Sequence, residues 1–128
     1  TIEPAIRHGS LSVGFIGLAE TLIALTGFHH GENEDSRALG EEIVAFMRNK
    51  VDKAADQYDL NFTLLATPAE GLSGRFIKMD RQEYGLIPGL TDKEYYTNSF
   101  HVPVNYSLSA YEKIKYTINT LMPGISVM

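Results

Sequence analysis

Short apolar runs alternate with helix-spaced apolar stripes along this chain. Leu11-Ser12-Val13-Gly14-Phe15-Ile16 is a brief apolar run closed by Gly17, which predicts a buried strand. Glycine weakens an isolated strand, so Gly14 and Gly17 suggest that another part of the structure approaches this backbone closely. Leu18 to Thr26 then predicts a helix, stopped by Gly27 as its C-cap. Leu18, Leu22 and Leu25 share one face, and Ala19, Ile23 and Ala24 cover much of the rest. A helix apolar nearly all round belongs inside a larger structure. His29 to Asp35 reads as a polar loop. From about Ser36 to Asp59, Leu39, Ile43, Met47, Val51, Ala54 and Tyr58 recur every three or four positions, opposite Glu41, Arg48, Asp52 and Asp56. That is the stripe of an amphipathic helix.

Asn61 to Ala66 predicts a second strand. Thr67-Pro68-Ala69-Glu70 has the form of a helix start, with Thr67 at the N-cap, Pro68 first in the helix and Glu70 closing a capping box. This helix is expected to reach about Met79. Leu86-Ile87-Pro88-Gly89 reads as a turn, and Thr91-Asp92-Lys93-Glu94 as a second, weaker capping box. Ser99 to Asn105 is a third strand candidate, with Pro103 suiting an edge better than a centre. Ser109 to about Leu121 predicts a last helix, capped by Ser109 with Glu112 and ended by Pro123-Gly124. The order β-α-α-β-α-β-α calls for mostly parallel strands in an α/β layer architecture, here one domain over 1–128 with no repeat or linker.

Composition adds bounds. The 128 residues are 44% apolar and 21% charged, an ordinary globular balance. A folded monomer of this mass exposes about 6,800 Å². A net charge of −5 gives no electrostatic reason to expect nucleic acid or an anionic membrane as partner. No apolar run reaches the roughly 18–20 residues of a membrane span, and no signal peptide is read. With no cysteine at all, these residues hold no disulfide, Cys zinc site, iron–sulfur ligand or thiol nucleophile. That suits a reducing cytosol, and a cytoplasmic location is the expectation. An opening Thr1, not Met, reads as processing or excision from a longer chain.

The strongest candidate chemistry lies at the strand-to-helix junction of residues 64–75. Ligands of parallel sheets sit at the carboxyl ends of strands, and the free N–H groups of a first helical turn favour an anion. Pro68 has no N–H, so the donors would be Ala69, Glu70 and Gly71, with hydroxyls from Thr67 and Ser73. Gly71 and Gly74 leave room for a phosphate, and Arg75 and Lys78 could bring positive charge. Against this, a capping box would close the same donors, and the Glu70 carboxylate would repel phosphate. His29, His30 and Glu32 look superficially like metal ligands but lack HExxH spacing, so a solvated loop is the better reading. Glu20, the lone charge on its helix, reads as a satisfied structural carboxylate before a catalytic one. Asn98, Ser99 and His101 could hydrogen-bond a sugar or base, or simply belong to a surface turn with packed tyrosines. No GxGxxG or Walker A pattern is present.

Three runs carry a family resemblance: His8-Gly9-Ser10-Leu11-Ser12-Val13-Gly14-Phe15-Ile16-Gly17-Leu18-Ala19-Glu20, then Leu65-Ala66-Thr67-Pro68-Ala69-Glu70-Gly71-Leu72-Ser73-Gly74-Arg75-Phe76, then Tyr95-Tyr96-Thr97-Asn98-Ser99-Phe100-His101-Val102-Pro103. In this order, and with the paired histidines before Gly31-Glu32, they resemble the catalytic subunit of anaerobic (class III) ribonucleoside-triphosphate reductase. The resemblance runs from roughly Arg7 to Lys115. The tail from Tyr116 to Met128 departs from it.

The resemblance implies an internal fragment of a ten-stranded α/β barrel built around a finger loop. It implies an oxidoreductase that reduces ribonucleoside triphosphates to deoxyribonucleoside triphosphates by glycyl and thiyl radical chemistry, with formate as reductant. It also implies a Cys-ligated zinc, often an ATP-binding regulatory domain, a homodimer, and an activase carrying an iron–sulfur cluster and S-adenosylmethionine. None of the Cys chemistry can reside in these residues, so this segment alone is expected to be inactive. By the same resemblance, Thr67, Ala69, Glu70, Gly71 and Ser73 would hold the substrate phosphates, with Arg75, Asn98 and Ser99 as further substrate contacts. The alternative is a non-catalytic α/β phosphate- or nucleotide-binding module. A third reading is structural, an α/β piece whose cut faces self-associate.

Overall fold

The computed structural model describes residues 2–66, 68–113, 116 and 126–127. The elements run α1 (Glu3–His8), β1 (Ser10–Gly14), α2 (Leu18–Thr26), α3 (Glu34–Tyr58), β2 (Asn61–Ala66), α4 (Glu70–Tyr84) and β3 (Ser126–Val127). The strands form one parallel sheet in the order β1-β2-β3, with Ser10 opposite Asn61 and Gly14 opposite Leu65. Parallel neighbours need a long crossover, and α2 and α3 provide it between β1 and β2.

Locally encoded elements form where the sequence predicts them. Gly27 ends α2 at φ 85°, its N–H donating to Ile23 O at 2.8 Å. A Cβ on Gly27 would meet nothing within 4 Å, so Gly27→Ala has only backbone strain to bear. Its expected cost is about 1–2 kcal/mol, read as a lower urea midpoint with an unchanged slope. Helix α3 starts at the Asn33 cap, whose side chain accepts from Ser36 N at 2.8 Å. Its buried line, Ser36, Gly40, Val44 and Val51, shares Val51 with the predicted stripe and otherwise lies beside it: Leu39, Ile43 and Met47 are only partly buried and Tyr58 is exposed. Gly40 explains the shift, because a Cβ there would stand 3.1 Å from Leu22 Cδ1, so α2 packs onto the glycine side of α3. The core joins Leu18, Leu22, Val44, Val51, Leu64, Ala66 and Phe100.

Several expectations are corrected. Helix α1 has no buried residue and hence no apolar stripe to announce it. Strand β1 ends at Gly14, short of Ile16, and all five of its residues are exposed. The chain exposes 8347 Å², well above the surface of a self-contained domain of its mass. Residues 99–105 form no strand. Asn98 makes an isolated antiparallel bridge to Ile16, Ser99 takes the left-handed φ of 46°, and Pro103 has no N–H to give a ladder. Thr91 begins no helix: its hydroxyl accepts from Ile87 N and donates to Gly85 O, tying the turn before it. At the far end the Ser109–Glu112 box does form, with Glu112 N donating to Ser109 Oγ and Ser109 N and Oγ donating to Glu112 Oε2. The predicted continuation to Leu121 and the stop at Pro123-Gly124 lie outside the described residues.

Candidate functional site

Strand β2, paired on both sides, delivers the chain to the start of α4. Here the structure departs from the sequence reading. The N-cap position is Ala69, which has no side-chain cap, where the sequence predicts Thr67. Glu70 is the first residue of α4 and exposed. Thr67, and with it the predicted Thr67–Glu70 box, lies outside the described residues. Asn98, 29 positions away, accepts from Ala69 N at 3.2 Å. The first helical hydrogen bond is Ser73 N to Ala69 O, at 2.8 Å.

The N–H groups of Glu70, Gly71 and Leu72 stand ahead of that bond and meet no acceptor among the described residues. All three residues are exposed, and a Cβ on Gly71 would enter open space. The positive end of α4 is thus open to solvent at the carboxyl end of a parallel strand. Arg75 and Lys78 are exposed on the following turn. Ser73 is turned inward: it is buried, and its hydroxyl donates to Glu70 O at 3.1 Å. Gly74 sits under Glu94 O rather than facing the opening. Ser99 is buried as well. Of the residues picked out from sequence, the corner gathers Ala69, Glu70, Gly71 and Asn98, while Ser73 supports it from beneath.

Asn98 also lines a cavity of about 340 Å³, with Lys93, Tyr95, His101 and Asn105 among its walls. This recess, which carries both polar and apolar walls, therefore adjoins the exposed amides. Its floor is held by Glu20, which the sequence reading treats as structural. Glu20 is 4% exposed, and its Oε1 accepts from Lys93 Nζ at 2.8 Å, Thr97 N at 3.0 Å and Thr97 Oγ1 at 2.7 Å. A larger, mainly apolar groove of about 490 Å³ runs between α2 and α4, with Phe76, Met79 and Tyr84 on its wall. In it Tyr96 OH donates to Asp80 Oδ2 at 2.6 Å; burial first, then that bond, hold the phenol well above its ordinary pKa.

His29 and His30 are not in a solvated loop; both are buried. His30 Nε2 lies 2.8 Å from Phe100 O, and His29 Nδ1 accepts from Gly31 N at 3.1 Å. Each ring pins backbone. Among the described residues no three His, Cys, Asp or Glu side chains come together as a metal site would need. With no Cys in the chain, the donors for a Cys-ligated zinc do not fit here, and no step through zinc is derived. No helix of the described residues is long and apolar enough to cross a membrane.

A family model described as anaerobic ribonucleoside-triphosphate reductase matches residues 1–122. The anaerobic ribonucleoside-triphosphate reductase of Escherichia coli (strain K12) is 44% identical over 110 residues, 85% of this chain and 15% of that protein. The enzyme of the same name from Enterobacteria phage T4 is 37% identical over 107 residues, 84% of this chain and 16% of its own length. The crystal structure of the anaerobic ribonucleotide reductase from Thermotoga maritima with glycerol in the active site superposes with a TM-score of 0.68 at 20% identity. It covers 91% of this chain and 20% of its own. The chain therefore spans about 15% of the length of the curated relatives it matches.

Proposed function

The chain belongs to the anaerobic ribonucleoside-triphosphate reductase family, and from that premise we propose that it is a segment of such a reductase's catalytic barrel that holds the substrate's phosphates. The whole enzyme reduces ribonucleoside triphosphates by passing a glycyl radical to a thiol, with formate as reductant. This segment, having no cysteine, contributes binding and barrel core but not the thiol that receives the radical. The supporting observation is the row of three amides, Glu70 to Leu72, at the carboxyl end of β2, which meet no acceptor among the described residues. Oriented N–H groups and the helix dipole attract a polyanion there. Arg75 and Lys78 add charge from the same helix. The recess beside Asn98 takes the part of the nucleotide beyond the phosphates, and Asn98 sits at the boundary between the two.

The contact to phosphate is through the backbone of Glu70, not its side chain. Its exposed carboxylate opposes the ligand through solvent, so Glu70→Gln is expected to tighten triphosphate binding about two- to fivefold. Titrating the chain with ATP while following amide resonances tests both points. Shifts confined to residues 69–75 and 98, strengthened in Glu70→Gln, support the reading. Saturable shifts elsewhere, or none, would sink it. Affinity matching that of a dedicated nucleotide binder would favour a stand-alone binding module instead.

A further inference from the structure

Among the described residues no nearby side chain caps helix α4, and its N-cap residue Ala69 is held from a distance by Asn98. What holds Asn98 in place is the question that leads to Glu20. This residue is the lone charge of α2 and is almost wholly buried. Its Oε1 draws in three donors, two of them from Thr97, the residue next to Asn98. The Thr97 carbonyl is held as well, accepting from Gly17 N at 2.7 Å. Both backbone polar groups of Thr97 are therefore fastened to the first turn of α2. From this fixed point Asn98 reaches Ala69 N, and on its other side Tyr96 N donates to Ser73 O at 3.4 Å. Meanwhile Glu20 Oε2 is buried with no partner among the described residues. All of the side chain's hydrogen bonding is thus spent on the segment of residues 93–97 and none on α2 itself.

We infer that Glu20 is a positioning residue for the first turn of α4, acting through Thr97 and Asn98 on the orientation of the exposed amides. The inference rests on reading those amides as the triphosphate site. A chain of three links, Glu20 to Thr97, Thr97 to Asn98 and Asn98 to Ala69, carries the constraint from one helix N-terminus to another. Oriented donors bind well only when they are held in place before the ligand arrives. Loosening any link leaves the fold but frees the turn.

The test uses the 128-residue chain with Glu20→Gln, Thr97→Val and Thr97→Ser, and Gly27→Ala as a destabilised control at the other end of α2. Hydrogen exchange at Ala69 N, measured without ligand, reports the link directly. Binding of inorganic triphosphate reports its consequence. Thr97→Val removes one donor while keeping the backbone N–H, and is expected to speed Ala69 exchange about tenfold and weaken triphosphate three- to tenfold. Thr97→Ser restores both. Glu20→Gln keeps one acceptor oxygen and is expected to fall between Thr97→Val and the parent. Gly27→Ala lowers the unfolding midpoint but leaves Ala69 and triphosphate unchanged. If Thr97→Val and Glu20→Gln behave like Gly27→Ala, Glu20 is a stabilising group only and the inference is overturned. Faster Ala69 exchange with undiminished triphosphate affinity overturns it too. Faster exchange in a chain whose parent binds no triphosphate leaves the linkage standing and removes the phosphate reading instead.

Discussion

Acidifying the chain from pH 6.5 towards pH 4 lowers its stability by roughly 3 kcal/mol through His30 alone. The ring is 1% exposed, and its Nε2 lies 2.8 Å from a carbonyl oxygen, which can only accept. Nε2 therefore carries the hydrogen, and Nδ1 is left as a bare lone pair with no partner among the described residues. Adding a proton to Nδ1 would bury an unshared charge. Desolvation is the main cause that brings the pKa from 6.5 down to about 4. The neighbouring His29 and His101 push the same way, while the Phe100 carbonyl and Glu20 push back. Between these two values the unfolded chain binds a proton that the folded one refuses. Stability is thus complete above pH 6.5, declines as the pH falls, and has lost this contribution near pH 4. His29, also depressed chiefly by burial, adds to the loss with the same sign. Urea unfolding across pH 7.5 to 4.5, in the parent and in His30→Gln, isolates the residue by difference. Equal slopes in the two would show that His30 takes up its proton as readily in the folded chain as in the unfolded one, and would overturn the expectation.

The second large effect is expected at Phe100. Phe100→Ala should cost about 3–5 kcal/mol, among the most damaging single changes available. The ring is buried in the main cluster with Leu18, Leu22 and Leu64, and meets Phe15 at 6.5 Å between centroids. Its carbonyl is the partner of His30. Losing the ring opens a cavity and releases the segment that carries Thr97 and Asn98. The damage should reach the α4 corner as well as the midpoint: Phe100→Ala is expected to weaken triphosphate binding, whereas Phe100→Leu recovers most of both. A midpoint shift below about 1 kcal/mol would mean that Phe100 does not anchor the segment.

What the sequence revealed divides by range. The span of α2, its Gly27 stop and the span of β2 came through because each is decided within a few residues. The start of α4 did not. Thr67-Pro68-Ala69-Glu70 carries a complete local signal, yet the N-cap position is Ala69, held by Asn98 from another part of the chain. Ser99 to Asn105 was misread for a similar reason. Phe100 and Val102 there are buried by packing of a turn-rich segment, not by a ladder, while Val104 is exposed. His29 and His30 looked solvated because pattern reading credits polar residues to water, and no local pattern shows that Phe100 waits 70 positions away to take a hydrogen bond. Of the site, Glu70 and Gly71 are expected as amide donors and meet no acceptor among the described residues, but Ala69 N, expected as a third, is already taken by Asn98; the roles of Ser73 and Ser99 depend on which way each side chain turns.

Among the described residues, strand β1 has a neighbour on one side only. Its outer margin offers unpaired backbone groups, and Leu11 and Val13 stand half bare beside them. Such a margin is an unfinished seam. A sheet can keep growing there, so a strand laid along residues 10–14 would seal the seam, and one borrowed from another copy would begin an aggregate.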